Sequence, residues 1–173
     1  MALGFRMGLS GGGGHVKRPI DIVKDGIIQS GFSIMPVTNT RSGWASFSTV
    51  APSVIQGNNV LTVSCPAATN ATRTGTAYIE IDLTNYSTLT VEFSSITVGT
   101  GSGTSTDGAV CLVQTMAQSY TVSMALGGAN ATIGATTMQA NVSNLSGTYC
   151  LAFNYICNAN RSISYNIKNI KAA

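Results

Sequence analysis

Charge is what this chain has least of. Asp, Glu, Lys and Arg make up 9% of its 173 residues, against about 25% in an ordinary soluble domain. Histidine and tryptophan occur once each, as His15 and Trp44. General acid-base and nucleophilic catalysis need titratable groups in close company. A lone histidine placed between a glycine run and Lys17-Arg18 supplies neither a Ser-His-Asp nor a Cys-His arrangement. The chain therefore reads as non-enzymatic, with no catalytic residue and no cofactor.

Long apolar runs are also missing. No segment reaches the roughly 18 consecutive apolar residues of a membrane-spanning helix, so no membrane insertion is expected. Met1–Ser10 carries Arg6 at its centre and leads into four glycines, which is not the pattern of a secretion signal. The four cysteines, Cys65, Cys111, Cys150 and Cys157, show no metal-ligand or Cys-x-x-Cys spacing. Cys111 and Cys150 sit in apolar, strand-like surroundings, and the favoured reading is buried free thiols over a disulfide framework. No metal site is expected.

The charges that do occur are unevenly placed. Residues 1–41 hold Arg6, Lys17, Arg18, Lys24 and Arg41 against Asp21 and Asp25, which accounts for the whole formal charge of +3. Residues 42–173 balance Arg73, Arg161, Lys168 and Lys171 against Glu80, Asp82, Glu92 and Asp107. The cations are scattered, whereas phosphate binding needs them clustered on one face. Nucleic acid is not an expected partner.

In place of charge there are 21 Thr, 19 Ser, 19 Gly and 13 Asn. These are poor helix formers; Thr suits strands and the others suit turns. Six Asn-x-Ser/Thr triplets arise from this composition and are not read as glycosylation sites, because no signal for export accompanies them. Hydrophobic residues still reach 44%, enough for a core.

That apolar content is periodic. Ala77, Ile79, Ile81 and Leu83 alternate with Tyr78, Glu80 and Asp82, and Leu89, Val91 and Phe93 share one face. The apolar phase then shifts to Ile96 and Val98 across Ser94-Ser95, as a β-bulge would require. Asp25-Gly26 between β-branched pairs is a hairpin signal. Strands are predicted near 32–35, 44–50, 59–65, 76–83, 88–98, 109–115, 119–126, 131–140, 147–156 and 162–170. One apolar and one polar face per strand implies antiparallel sheets packed face to face. The predicted fold is all-β: an antiparallel, jelly-roll-like β-sandwich over 19–173, preceded by an extended arm over 1–18.

Within the arm, Leu3, Phe5, Met7 and Leu9 alternate with small or charged residues and then meet Gly11–Gly14. Either this is an assembly strand that pairs with another chain, or it is a disordered tail. In the sandwich, Glu80 and Asp82 stand two apart on one strand face, where solvated charges are the ordinary outcome. Trp44, Tyr78, Glu80 and Asp82 are candidate ligand contacts, since an aromatic face beside short polar groups suits a sugar. The glycine-rich segment 99–108 lacks the Gly-Lys-Ser/Thr ending of a phosphate loop and reads as a loop between strands.

The opening Met-Ala-Leu-Gly-Phe-Arg-Met-Gly with its glycine run, Ile-Val-Lys-Asp-Gly-Ile-Ile-Gln-Ser-Gly-Phe, and the Ser/Thr-rich strands after it resemble small virion proteins of tailed bacteriophages. Thr-Ala-Tyr-Ile-Glu-Ile-Asp-Leu, Ser-Gly-Thr-Tyr-Cys-Leu-Ala-Phe and the closing Ser-Ile-Ser-Tyr-Asn-Ile-Lys-Asn-Ile are similar to sandwich modules of phage tail, fibre, collar and head-decoration proteins. Those modules in turn resemble carbohydrate-binding modules of the galactose-binding type. The resemblance implies a multicopy structural protein of a particle, made in the host cytoplasm and anchored through its arm. Its partners would be copies of itself, other virion proteins and a host-surface glycan. A carbohydrate-binding module or adhesin is the alternative.

Overall fold

The computed structural model describes residues 17–38, 48–65, 73–99, 106–114, 122–157 and 161–173. Thirteen strands and no helix are found among them: β1 (Ile20–Lys24), β2 (Ile27–Ile28), β3 (Ile34–Thr38), β4 (Ser48–Thr49), β5 (Ser53–Gly57), β6 (Val60–Cys65), β7 (Arg73–Asp82), β8 (Thr88–Val98), β9 (Thr106–Val113), β10 (Val122–Ala129), β11 (Thr136–Asn141), β12 (Thr148–Cys157) and β13 (Ile163–Ala172). They form two sheets. In the seven-stranded sheet the path runs β11-β8-β13-β1-β2, with β6 also on β13 and β5 outside β6. The six-stranded sheet runs β10-β9-β12-β7-β3, with β4 also on β7. From β6 to β9 and from β10 to β13 the chain changes sheet at every connection. Every pairing is antiparallel except β4 with β7. This is the expected jelly-roll-like sandwich.

The core is built from the apolar phase of each long strand. Ile79, Ile81, Leu151 and Phe153 face inward from one sheet; Leu89, Val91, Tyr165 and Ile167 meet them from the other, all essentially unexposed. Three rings lock the layers together. Phe153 lies 6.4 Å from Phe93, nearly edge-on, and 5.6 Å from Tyr165. Burying each such side chain contributes about 1.5–3 kcal/mol.

The phase change at Ser94 is a bulge. Ser95 pairs with Asn166 and Phe93 with Ile167, leaving Ser94 unpaired, and β13 answers with Lys168 as its own extra residue. Phe93 and Ile96 consequently both point into the core. Two hairpins meet on the far side of β13, because β6 pairs with its first half and β1 with its second. Asp25 and Gly26, with φ of 48° and 71°, make the first turn, and Asn58 and Asn59, with φ of 52° and 60°, the second. The Gly26 amide donates to the Lys168 carbonyl at 2.8 Å, and the Asp25 amide to Asn169 Oδ1 at 2.9 Å. The Ile28 amide reaches across to Gln56 Oε1 at 2.9 Å.

Three expectations need correction. Strand β5 lies where the sequence predicts no strand, because Val54 and Ile55 are adjacent and give no alternation. Strand β10 runs three residues past the predicted end at 126, and β11 starts five residues after the predicted 131. The six-stranded sheet is not uniformly polar outside, since Cys111, Val113, Cys150 and Ala152 on its outer face are buried. Both phases of Val110–Val113 and Cys150–Phe153 are apolar, as in strands covered on both sides. Cys65, Cys111 and Cys150 are buried thiols, as expected.

Candidate functional site

Strand β7 carries three of the candidate residues on its outward face, in the order Tyr78, Glu80, Asp82, because side chains on one face recur every second residue. Leu3, Phe5, Met7, Leu9 and Trp44, with residues 100–105 of the glycine-rich loop, fall outside the described residues.

The same face begins at Thr74 and Thr76, which are buried. Thr76 Oγ1 donates to Asn154 Oδ1 at 2.6 Å, and Asn154 Nδ2 donates to Cys111 Sγ at 3.0 Å. Burial pushes the Cys111 thiol up to about 11, against a smaller opposing effect of the Asn154 hydrogen bond. This part of the face is a satisfied polar network and holds no reactive group.

Tyr78 lies at the border. Its ring is half-buried against Cys111, Val113, Cys150 and Ala152. Met35 stands directly opposite on β3, and its Sδ accepts the Tyr78 hydroxyl at 3.6 Å. Burial raises the phenol above its ordinary range, and Cys150 and the Glu80 carboxylate add to the rise. Glu80 follows on the same face and is exposed, as is Thr148 on β12.

Asp82 is already engaged. Lys17 Nζ sits 2.7 Å from Oδ2, and the Thr84 amide donates to Oδ1 at 3.0 Å. Chiefly the Lys17 hydrogen bond, followed by those from Thr84, lowers the carboxyl to about 2. The Lys17 ammonium also lies 5.0 Å from the centre of the Tyr86 ring, and its amide donates to the Asn85 carbonyl at 3.3 Å. Asp82 thus ties the start of the sandwich to the β7–β8 turn. Glu80 and Asp82 share a face, of which Asp82 is held by Lys17 and Thr84, and no metal-binding cluster occurs among the described residues.

A second polar surface went unassigned from sequence. On the outer face of the seven-stranded sheet, Asn166 Nδ2 donates to Ser95 Oγ at 2.8 Å and Thr62 Oγ1 donates to Asn166 Oδ1 at 3.1 Å. Asn169 Nδ2 donates to Glu92 Oε2 at 2.6 Å. The polar phase of β8 and β13 announced these positions, but only the register shows that they bond one another. Glu92 and Asn166 are thereby occupied. Among the described residues, Tyr78 and Glu80 set a half-buried aromatic ring and an exposed carboxylate next to each other on one strand face.

No family model matches this chain, and no curated protein matches it. A solved structure described as "CBM4 structure and function" aligns over 91% of this chain and 96% of its own, at 11% identity and a TM-score of 0.38. That is a weak likeness in the overall sandwich, and no residue is carried across from it.

Proposed function

We propose that the domain is a non-catalytic binding module that takes a glycan on the outer face of β7. The carrying observation is the half-buried Tyr78 ring, held by Met35 and the Cys150 cluster, with the exposed Glu80 carboxylate next on the same face. A sugar presents an apolar C–H side and a fringe of hydroxyls. A fixed ring takes the first, and a carboxylate accepts from the second in a charge-assisted hydrogen bond. Both groups stand on one rigid strand, so little ordering is needed on binding. With a single aromatic and an open face, affinity in the millimolar range is expected. Screening the full chain on a glycan array, followed by titration of any hit, tests the reading. Tyr78→Ala should abolish binding and Glu80→Gln weaken it, while Tyr78→Phe retains it; Trp44→Ala reports whether the tryptophan contributes separately. Absence of binding to every glycan at millimolar concentration sinks the proposal.

A second reading, a multicopy structural protein of a phage particle, is supported by a different observation. Residues 42–173 carry no net charge, and two large hydrophobic side chains, Ile27 and Ile55, are 59% and 60% exposed. A surface with little net charge lacks the repulsion that keeps copies apart. Light scattering on the native protein decides this one: a lone monomer at high concentration rules it out.

A further inference from the structure

The two sheets divide the few charges of the sandwich unequally. The strands of the six-stranded sheet carry Glu80, Asp82 and Asp107 against Arg73 alone. Those of the seven-stranded sheet carry Lys24, Lys168 and Lys171 against Asp21 and Glu92. Tyr78 and Glu80 thus stand on the acidic sheet of a chain whose formal charge is +3 overall.

On the outward face of β7 the negative charge is concentrated at one position. Lys17 approaches Asp82 to 2.7 Å and balances its charge. Among the described residues no ion pair is found for Glu80, which is exposed. Arg73 begins β7, seven residues before Glu80, a separation of roughly 23 Å at the rise of a strand. That is well beyond the screening length of about 8 Å at physiological ionic strength. Glu80 does act on Tyr78: after burial and Cys150, its charge contributes to the rise of the phenol above its ordinary range. Two positions apart on one strand face, the two residues are about 7 Å from each other, a span that one sugar ring bridges.

A ligand stacked on the Tyr78 ring therefore meets an unbalanced carboxylate at its edge. A sugar hydroxyl placed there donates one hydrogen bond. An ammonium in the same place donates with full charge on both partners and is also attracted to the face of the ring. A carboxylate or sulfate is repelled by Glu80, and Lys17, the described cation at this end of β7, is already taken by Asp82. Attraction of one charge class and rejection of the other together make a specificity.

We propose that the β7 site selects glycans bearing a free amine, with the ammonium set between the Glu80 carboxylate and the Tyr78 ring. The inference rests on the glycan-binding reading above and goes beyond it by fixing the charge of the ligand: cationic sugars first, neutral sugars second, acidic sugars excluded.

The test titrates the full chain with three oligosaccharides of equal length, built from glucosamine, N-acetylglucosamine and glucuronic acid. The first two share a skeleton and differ in the charge of the nitrogen. The glucosamine oligomer should bind about tenfold more tightly than its acetylated form, the sum of one exposed charge pair and one exposed cation–ring contact, and the uronate should not bind. Tyr78→Ala should abolish binding, and Glu80→Gln should remove most of the difference between the first two sugars. Glu92→Gln takes the same charge from the other sheet and should change nothing. Circular dichroism establishes that the variants are folded. Butylammonium, a cation with no sugar face, should not compete at the same concentration. Equal binding of the amine and its acetylated form, lost in Tyr78→Ala, overturns the amine selectivity and leaves the glycan reading standing. So does binding of the uronate, a preference that survives Glu80→Gln, or one that Glu92→Gln also removes. Failure of all three sugars at millimolar concentration, or equal competition by butylammonium, overturns both.

Discussion

Tyr165, in the last strand, donates its hydroxyl proton to the backbone carbonyl of Asn154 in the opposite sheet. Both partners are buried. The bond crosses the interior of the sandwich, and the Tyr165 ring packs at 6.2 Å from Phe93 and 5.6 Å from Phe153. One side chain therefore contributes apolar area to the core and a polar clasp between layers. Tyr165→Phe keeps the ring and removes the donor. The expected loss is about 1–3 kcal/mol, read as a lower urea midpoint with an unchanged slope. A loss below a few tenths of a kcal/mol would show that the clasp contributes nothing.

Gly26 is required by geometry. Its φ is +71°, and a Cβ there would lie 2.2 Å from the Val60 backbone nitrogen. Gly26→Ala should cost more than about 1 kcal/mol, since strain at positive φ adds to the collision. Gly57, in the facing hairpin, has open space around it. Gly57→Ala should be close to neutral, and equal melting temperatures for the two variants would contradict this account.

Stability should respond to acid through Asp82. Its carboxyl titrates near 3.8 when unperturbed and about 2 in the folded protein. A depressed folded value means that the contribution is complete above pH 3.8 and disappears as the pH falls towards 2. The pair is solvent-exposed, with the two side chains 35% and 53% accessible. Screening holds its worth below about 1 kcal/mol, and added salt should reduce it. Lys17→Ala should flatten the pH dependence of unfolding between pH 4 and pH 2; an unchanged slope would show that Lys17 is not the cause.

The Cys111 thiol should be inert in the native state. It is buried, bonded to Asn154, and titrates at about 11, so thiolate is scarce at neutral pH. With Cys157 replaced by serine, a disulfide-exchange reagent should find no reactive thiol until denaturant is added. Rapid reaction of the folded protein would refute the burial of Cys65, Cys111 and Cys150.

Much of this was legible in the sequence. The bulge at Ser94 followed from the phase change between Phe93 and Ile96, and the first hairpin from Asp25-Gly26. Other elements hid behind their local signals. Gly127-Gly128 reads as a turn, yet both residues belong to β10. A Cβ at Gly128 would come within 2.2 Å of the Gly108 carbonyl oxygen, so glycine there answers a close approach of backbones. Of the candidate site, the shared face of Tyr78, Glu80 and Asp82 was readable from alternation. That Asp82 is bound by Lys17, 65 residues away, was not.

The sequence by itself determined that this chain makes sheets, which phase of β7, β8 and β13 turns inward, and where β8 must bulge. Those are properties of single strands, set by the alternation of side chains along an extended backbone. Only the tertiary structure decided which strands lie side by side. It thereby occupied Asp82, Asn166 and Glu92 with partners, buried the outer face around Cys111, and left Glu80 and Ile55 exposed. Such pairings join residues far apart in the chain, and local pattern holds no information about which distant strand will be the neighbour.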